Sequence, residues 1–295
     1  GIRSERALKL AIAEMYIKGV ATRKVSAIVE ELCGTEVSST QVSDAAKELD
    51  TEINVWRTRP LSRYQYLMLD ARYEHVRQAN AVVSSAVLIA VGITYEGRRE
   101  LLGVSVSLSE AEVHWRQFLQ SLIERGMHGL TMVISDAHTG LRKALETCFP
   151  GTPWQRCQFH LQQNAMSHVP KVSMRTEVAA DIRSVLNAPD RQEAERLLKL
   201  RIEKYRASAP DLATWLEVNV PQSLTVFQVP ITHRRMLRTT NMVERLNREI
   251  KKRTKIASIF PNPESALRLI SALLMEMSEQ WLDGKRYLPA DDALY

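Results

Sequence analysis

The sequence predicts an α/β fold: a mixed five-stranded sheet with flanking helices, an all-α insertion before a late helix, and a small helical domain in front. Three observations carry this prediction. Between about residues 64 and 157, short apolar runs alternate with helical patterns in the order β-β-β-α-β-α-β. From about 161 to 230 the strand signal nearly vanishes, while residues 5–57 show helical spacing alone.

In the first stretch, Leu8, Ile12, Met15 and Tyr16 share one helical face that Gly19 can end, and Val25, Ile28, Val29 and Leu32 form a second, ended by Gly34. Ser38-Ser39-Thr40-Gln41 has the form of a capping box with Ser38 as N-cap, and Val37 and Val42 can form the matching hydrophobic staple. Val42, Ala45 and Leu49 then line a third helix. This is the outline of a helix-turn-helix whose second helix presents Thr40, Gln41, Ser43 and Lys47 to DNA. The same pattern equally fits a small helical packing subdomain that binds nothing. Arg57-Thr58-Arg59-Pro60-Leu61-Ser62 is read as a linker.

Strands are expected at 64–69, 82–93 and 100–107, the last two joined by a turn at Tyr95-Glu96-Gly97-Arg98. A helix at 109–125 takes Ser109 as N-cap and turns Trp115, Phe118, Leu119 and Leu122 inward. A buried strand at 130–134, a helix at 138–148 stopping before Pro150, and a strand at 154–157 follow. Three antiparallel strands with further strands added in parallel through helical crossovers describe an RNase H-like core. Helices at 172–187, 191–206 and 211–219, separated by Pro189, Pro210 and Pro221, form the insertion. A helix at 241–252 returns to the core, and a last helix at 264–281 carries a packing stripe of Leu267, Ile270, Leu274, Met277 and Trp281. The expected division is therefore 1–60, 61–160, 161–235 and 236–295.

Composition fits such a protein. Of 295 residues, 45% are hydrophobic and 25% charged, as in folded soluble chains. A net charge of +6 and a pI near 9.3 favour a polyanionic partner. Three cysteines (Cys33, Cys148, Cys157) make no disulfide framework and fit a reducing cytoplasm. The one long uncharged apolar stretch, 79–94, holds Asn80, two serines and many β-branched residues, so it reads as strand; no membrane association and no signal peptide are expected. The chain opens on Gly1, and the expectation is that native sequence precedes it.

Three carboxylates carry the chemistry. Asp70 ends the apolar run Tyr66-Leu67-Met68-Leu69, Asp136 ends Met132-Val133-Ile134-Ser135, and Glu244 lies in the basic helical stretch. Two strand-end acids and one on a helix suit two hard divalent cations, Mg²⁺ or Mn²⁺, in an in-line phosphoryl transfer, with Asp70 bridging both, Asp136 holding one and Glu244 the other. Singly, either aspartate could be a turn residue or helix cap, and Glu244 a solvated residue paired with Arg248. Between 231 and 255 nine lysines and arginines face only Glu244 and Glu249, a lopsided balance for a merely solvated helix. Arg238, Asn241, Arg245, Arg248, Lys251, Lys252 and Arg253 are the expected phosphate grip. Cys157 and His160 have the spacing of half a zinc site, but no second close pair follows, so a thiol–imidazole contact ordering the loop after the fifth strand is preferred.

Four segments carry a family resemblance: Tyr66-Leu67-Met68-Leu69-Asp70-Ala71-Arg72-Tyr73; Val133-Ile134-Ser135-Asp136-Ala137-His138-Thr139-Gly140-Leu141; Trp154-Gln155-Arg156-Cys157-Gln158-Phe159-His160; and 240–254, from Thr240-Asn241-Met242-Val243-Glu244 to Lys252-Arg253-Thr254, with Ile259-Phe260-Pro261-Asn262 after them. From about residue 10 to 283 the chain resembles bacterial transposases of the IS256 group, in the Mutator-like DDE superfamily. The resemblance implies Asp70, Asp136 and Glu244 as the DDE triad on an RNase H-like fold, Cys157 and His160 as a C-x-x-H signature, and Lys251 as the basic position seven residues on. It further implies metal-dependent cleavage at transposon ends and strand transfer by a copy-out–paste-in route through a circular intermediate. The implied partners are double-stranded DNA (terminal inverted repeats and target) and a second copy of the chain, in the bacterial cytoplasm at the nucleoid. Trp154, or a basic surface of the insertion, is a candidate grip for unpaired bases. The chain departs from the family in lacking the further N-terminal DNA-binding region its members usually carry. Rival readings are an RNase H-like nuclease without strand transfer and a domesticated, non-catalytic DNA-binding protein.

Overall fold

The computed structural model describes residues 39–255, 259–260, 262–282 and 284–289, with the side chains of 39–48 and 282 outside that description. The first two expected helices and the Ser38 cap lie outside the described residues, as do the side chains of Thr40, Gln41, Ser43 and Lys47. Helix α1 (Ser39–Thr58) starts near the expected position but runs through Arg57 and Thr58, which the sequence reading assigns to a linker. Thr58 Oγ1 donates to Asn54 O at 2.7 Å and closes the last turn. Pro60 then disfavours helical backbone at Arg59. Leu49 and Ile53 of α1 pack on Ala272 of the last helix.

Strands β1 (Tyr66–Gln78), β2 (Ala81–Ile93) and β3 (Arg99–Ser107) form an antiparallel meander. Strands β4 (Met132–Ser135) and β5 (Trp154–Arg156) add in parallel beyond β1, giving the order β3-β2-β1-β4-β5. Helix α2 (Glu112–Glu124) precedes β4, and α3 (Thr139–Cys148) joins β4 to β5. This mixed, helix-flanked sheet is compatible with an RNase H-like core.

β1 corrects one expectation. It does not end at Leu69 but continues eight residues beyond Asp70, paired with β2 down to Gln78↔Ala81. Arg72, Glu74, His75 and Arg77 hide the strand from a hydrophobic reading. The two linking residues, Ala79 and Asn80, have φ of 46° and 64°, the left-handed pair that a tight twisted hairpin needs. The start of α2 is a second correction: Ser109 is not its N-cap. Its Oγ accepts from Ala111 N at 3.3 Å, forming a turn ahead of the helix, and Ala111 takes the cap position.

Alternation along the strands builds a core on each face. Tyr66, Met68, Ile89, Val91 and Ile134 face one side, where helices α9 (Asn241–Thr254) and α10 (Pro263–Leu282) cover them with Val243, Leu246, Ile250, Ile270 and Leu274. Leu67, Leu69, Leu88, Ala90 and Val133 face the other, under Trp115, Phe118, Leu119 and Leu122 of α2 and Leu141, Ala144 and Leu145 of α3. Helices α2 and α3 meet through a bare Cα: a methyl group at Gly140 would stand 2.3 Å from Glu110 O and 2.8 Å from Glu112 N. Both obstacles are backbone. Gly140→Ala is expected to cost about 1–3 kcal/mol, read as a lowered denaturant midpoint with unchanged slope.

Between β5 and α9 lie α4 (Gln158–Ala165), α5 (Arg175–Leu186), α6 (Arg191–Arg206), α7 (Pro210–Asn219) and α8 (Ile231–Leu237). The apolar faces of α4 to α7 make a third core, with Leu161, Val178, Ile182, Ala194, Tyr205, Leu212 and Leu216 at its centre, while Leu237 of α8 joins the core under α9. Buried Gln155 fastens it to β5: its Nε2 donates to Ser223 O at 2.9 Å and its Oε1 accepts from Val226 N at 2.6 Å. Within this core, Asp181 Oδ2 accepts from Lys204 Nζ and Tyr205 Oη, each at 2.6 Å. Burial alone would push the Asp181 carboxyl up, but Lys204, Tyr205 and Arg201 outweigh it and hold it below its ordinary value. A depressed folded-state pKa stabilises above the unfolded value of about 3.9 and is lost as pH falls through the folded one. Asp181→Asn should therefore lose about 2 kcal/mol at pH 7, with the deficit shrinking towards pH 3 in urea melts run at both.

Candidate active site

Strand register brings the two aspartates to one level. The parallel pairing of β1 and β4 ends at Met68↔Ile134. Asp70 lies two residues past the first and Asp136 two past the second, so both stand where the parallel pairing stops. Side chains two apart share a face, and Met68 lies in the core under α9. Asp70 therefore points at the helix that carries Glu244. It reaches that position from within a strand, not from a strand end as the sequence reading has it; Asp136 does follow directly on β4.

Asn247 fixes Asp70. Its Nδ2 donates to Asp70 Oδ2 at 2.7 Å, across 177 residues of sequence. The backbone of Asn247 is held in turn: Arg72 Nη1 donates to Asn247 O at 2.6 Å, and Arg72 Nη2 pairs with Glu74 at 2.6 Å. Thr254 Oγ1 donates to the same glutamate at 2.9 Å. Asn247 Oδ1 is buried with no hydrogen-bond partner. Sequence reasoning missed Asn247, although its place three residues after Glu244 puts both on one helix face.

The acids repel one another. Burial, reinforced by Glu244 and Asp136, pushes Asp70 up to about 7, against the pull of His160 and the Ala71 N–H. His160 rises to about 9, mainly through the Cys157 thiol beside it, with Asp136 and Asp70 adding to the shift. Burial would raise Cys157, but His160 and Thr240 bring it below its ordinary value.

The C-x-x-H segment is not the loop the sequence suggests. Cys157 is the N-cap of α4, and His160 sits in the first turn of that helix. Cys157 Sγ accepts from Thr240 N at 3.4 Å and lies 3.3 Å from Thr240 Oγ1. Thr240 is the N-cap of α9, so the thiol ties the start of α4 to the start of the Glu244 helix. Thr240 Oγ1 also lies 3.5 Å from Glu244 Oε1, and His160 Nε2 lies 4.0 Å from that oxygen. Among the described residues, the set of three candidate ligand atoms within 4.8 Å of one another is Cys157, His160 and Glu244, not the three acids. The acids share a rim and feel one another's charge, but they stand further apart.

The expected phosphate grip is distributed unevenly. Asn241, Arg245, Arg248, Lys251 and Lys252 are exposed along α9. Arg238 is half-buried and donates to Asn187 Oδ1 at 2.7 Å, while Arg253 donates to Glu276 at 3.0 Å and so helps dock α10. Trp154 is occupied rather than offered: its Nε1 donates to Ser135 Oγ at 2.9 Å, and the Arg142 guanidinium lies 3.6 Å over its ring.

An acid cluster at the rim of an α/β sheet, beside a basic helix, defines a class that comparison with known proteins makes specific. Residues 2–284 match the family described as Transposase, Mutator family, and the chain belongs to that family. It is 53% identical over 290 residues to the transposase for insertion sequence element IS406 of Burkholderia multivorans, covering 98% of this chain and 75% of that protein. To the transposase for insertion sequence element IS256 in transposon Tn4001 of Staphylococcus aureus it is 40% identical over 301 residues, covering 98% and 75%. To that for IS1081 of Mycobacterium tuberculosis it is 38% identical over 288 residues, covering 97% and 69%. Among the described residues no helix is long and apolar enough to cross a membrane.

Proposed function

We propose that this transposase is a DDE enzyme on an RNase H-like core, with Asp70, Asp136 and Glu244 as its triad. It would cut DNA at the terminal inverted repeats of its element and join the freed 3′-hydroxyl to a second phosphodiester. The observation that carries this reading is the shared register of Asp70 and Asp136 facing the Glu244 helix. Asp70, pushed up by burial and further by Glu244 and Asp136, stands in a site that calls for cations, and Asn247 Oδ1, buried and unpartnered, supports the same reading. All-oxygen ligands suit Mg²⁺ or Mn²⁺. Asp70, Asp136 and Glu244 are the residues that would hold such ions. When bound, two such ions supply an activated nucleophile and charge stabilisation of the leaving oxygen.

The chain's own groups do the rest. Asn247 orients Asp70, and Thr240 and His160 flank Glu244. Arg248 and Lys251, one and two turns along from Glu244, hold the phosphates on either side of the reacting one. The 161–235 helices form an insertion with its own core, and the segment before the sheet is a DNA-binding helical domain. Two ends must be held at once, so the working form is a homodimer, and the family resemblance favours copy-out–paste-in through a circular intermediate.

The test is a labelled, pre-nicked transposon-end duplex incubated with plasmid and Mg²⁺ or Mn²⁺. Joining to the plasmid is the expected product. Hydrolysis without joining would make the protein a nuclease, and binding with neither would favour a non-catalytic DNA-binding role.

A further inference from the structure

A groove of about 920 Å³ runs along the side of α9 next to the acid cluster. Seven of its lining residues are arginine or lysine and one, Glu249, is acidic. Arg245 and Arg248 of α9 form one wall, and exposed Arg183 of α5 stands on another. The floor differs in character. Met236, Met242, Leu246, Met277 and Trp281 line it, and the Arg99 guanidinium lies 4.3 Å from the centre of the Trp281 ring. At the end nearest the acids stands Phe159, 46% exposed, its ring set edge-on to His160 with centroids 5.5 Å apart.

A paired duplex makes poor use of such a groove. Duplex phosphates would meet the basic rim, but duplex bases are stacked on one another and have no faces to lay on an apolar floor. An unpaired strand presents both, and cationic walls with exposed aromatic platforms are how proteins hold single strands without reading sequence. At the start of α4, Cys157 and His160 turn inward to α9 and Glu244, and of the α4 residues that line the groove, Gln158, Phe159 and Gln162, Phe159 is the exposed one.

We propose that this groove binds an unpaired DNA strand, with phosphates on Arg183, Arg245 and Arg248 and a base stacked on Phe159 at the edge of the acid cluster. The proposal rests on the acid cluster being where DNA reacts, since it places the unpaired stretch beside the bond to be broken.

The test uses the full chain in EDTA, so that nothing is cut, with labelled oligothymidylate and a blunt duplex of equal length as probes. Phe159→Ala should weaken binding of oligothymidylate about tenfold, and Phe159→Trp should restore it. A 2-aminopurine placed in the strand should lose its stacking quench in Phe159→Ala alone. Arg183→Ala and Arg245→Ala should each flatten the salt dependence of single-strand binding, by a log–log slope of about 0.7. Wild-type affinity for oligothymidylate in Phe159→Ala overturns the proposal. If the wild-type chain joins a nicked end to plasmid while Phe159→Ala still binds single strands normally, the catalytic reading stands and the groove assignment falls. If single-strand binding depends on Phe159 in a chain that joins nothing, the reverse holds.

Discussion

Replacing Asp136 by alanine is expected to abolish metal-dependent joining of a pre-nicked transposon end, by on the order of a thousandfold or more. The fold has little need of this carboxylate. It is half-buried just past a four-residue strand, and the hydrogen bond its carboxylate accepts from Ala137 N at 2.7 Å is local. Loss of joining with an unchanged thermal midpoint and unchanged DNA binding would assign Asp136 to the reaction. Asp136→Asn is the sharper variant, because it keeps the shape and the capacity to accept a hydrogen bond while removing the charge. It should be as inactive as the alanine form. Joining at near wild-type rate by Asp136→Asn would sink the triad assignment. Glu244→Gln should behave alike, with the added signature that His160, 4.0 Å away, loses its anionic neighbour.

Asn247→Ala is expected to cost ten- to a hundredfold in joining, chiefly as a higher metal requirement. The side chain touches no reacting atom. It donates to Asp70 and is itself pinned by Arg72 through the backbone, so its contribution is to hold that carboxylate in place. Two measurements separate this from a general loss of structure. A Mn²⁺ titration of joining should shift its midpoint upward, and the rate at saturating Mn²⁺ should recover most of the way. A purely structural residue would lower the melting temperature without moving the metal midpoint.

The legible parts of the fold were those where local pattern and tertiary role agree. β4, and β2 from Ser85 onward, are buried on both faces, so their sequences are nearly continuous apolar runs. The inward residues of α2 are the four that helical spacing picks out. The second half of β1 was illegible because its cross-strand partners, not its own residues, make it a strand. Helix α4 was hidden in the same way: five of its eight residues are Gln, Asn or His, and it exists because Leu161 and Ala165 reach the helical core. α8, with its basic turn, escaped notice too. As to the site, two apolar runs ending in aspartate and one acid among many bases could be read directly. What closes the site could not. The thiol that binds the start of α9, and the amide that holds Asp70, are contacts between residues far apart in the chain, and no spacing rule predicts them.

The bond from Asn247 to Asp70 also sets when the protein can act. Its partners are 177 residues apart, and at a synthesis rate of roughly 5–20 residues per second the second follows the first by about 9 to 35 seconds. Once the sheet and both aspartates have been made, the nascent chain still lacks Glu244 and the helix that faces them. A polypeptide cut short by a stalled ribosome or a premature stop within the helical region therefore lacks Glu244, the third acid of the proposed triad. The proposed centre is thereby completed only in chains made through α9.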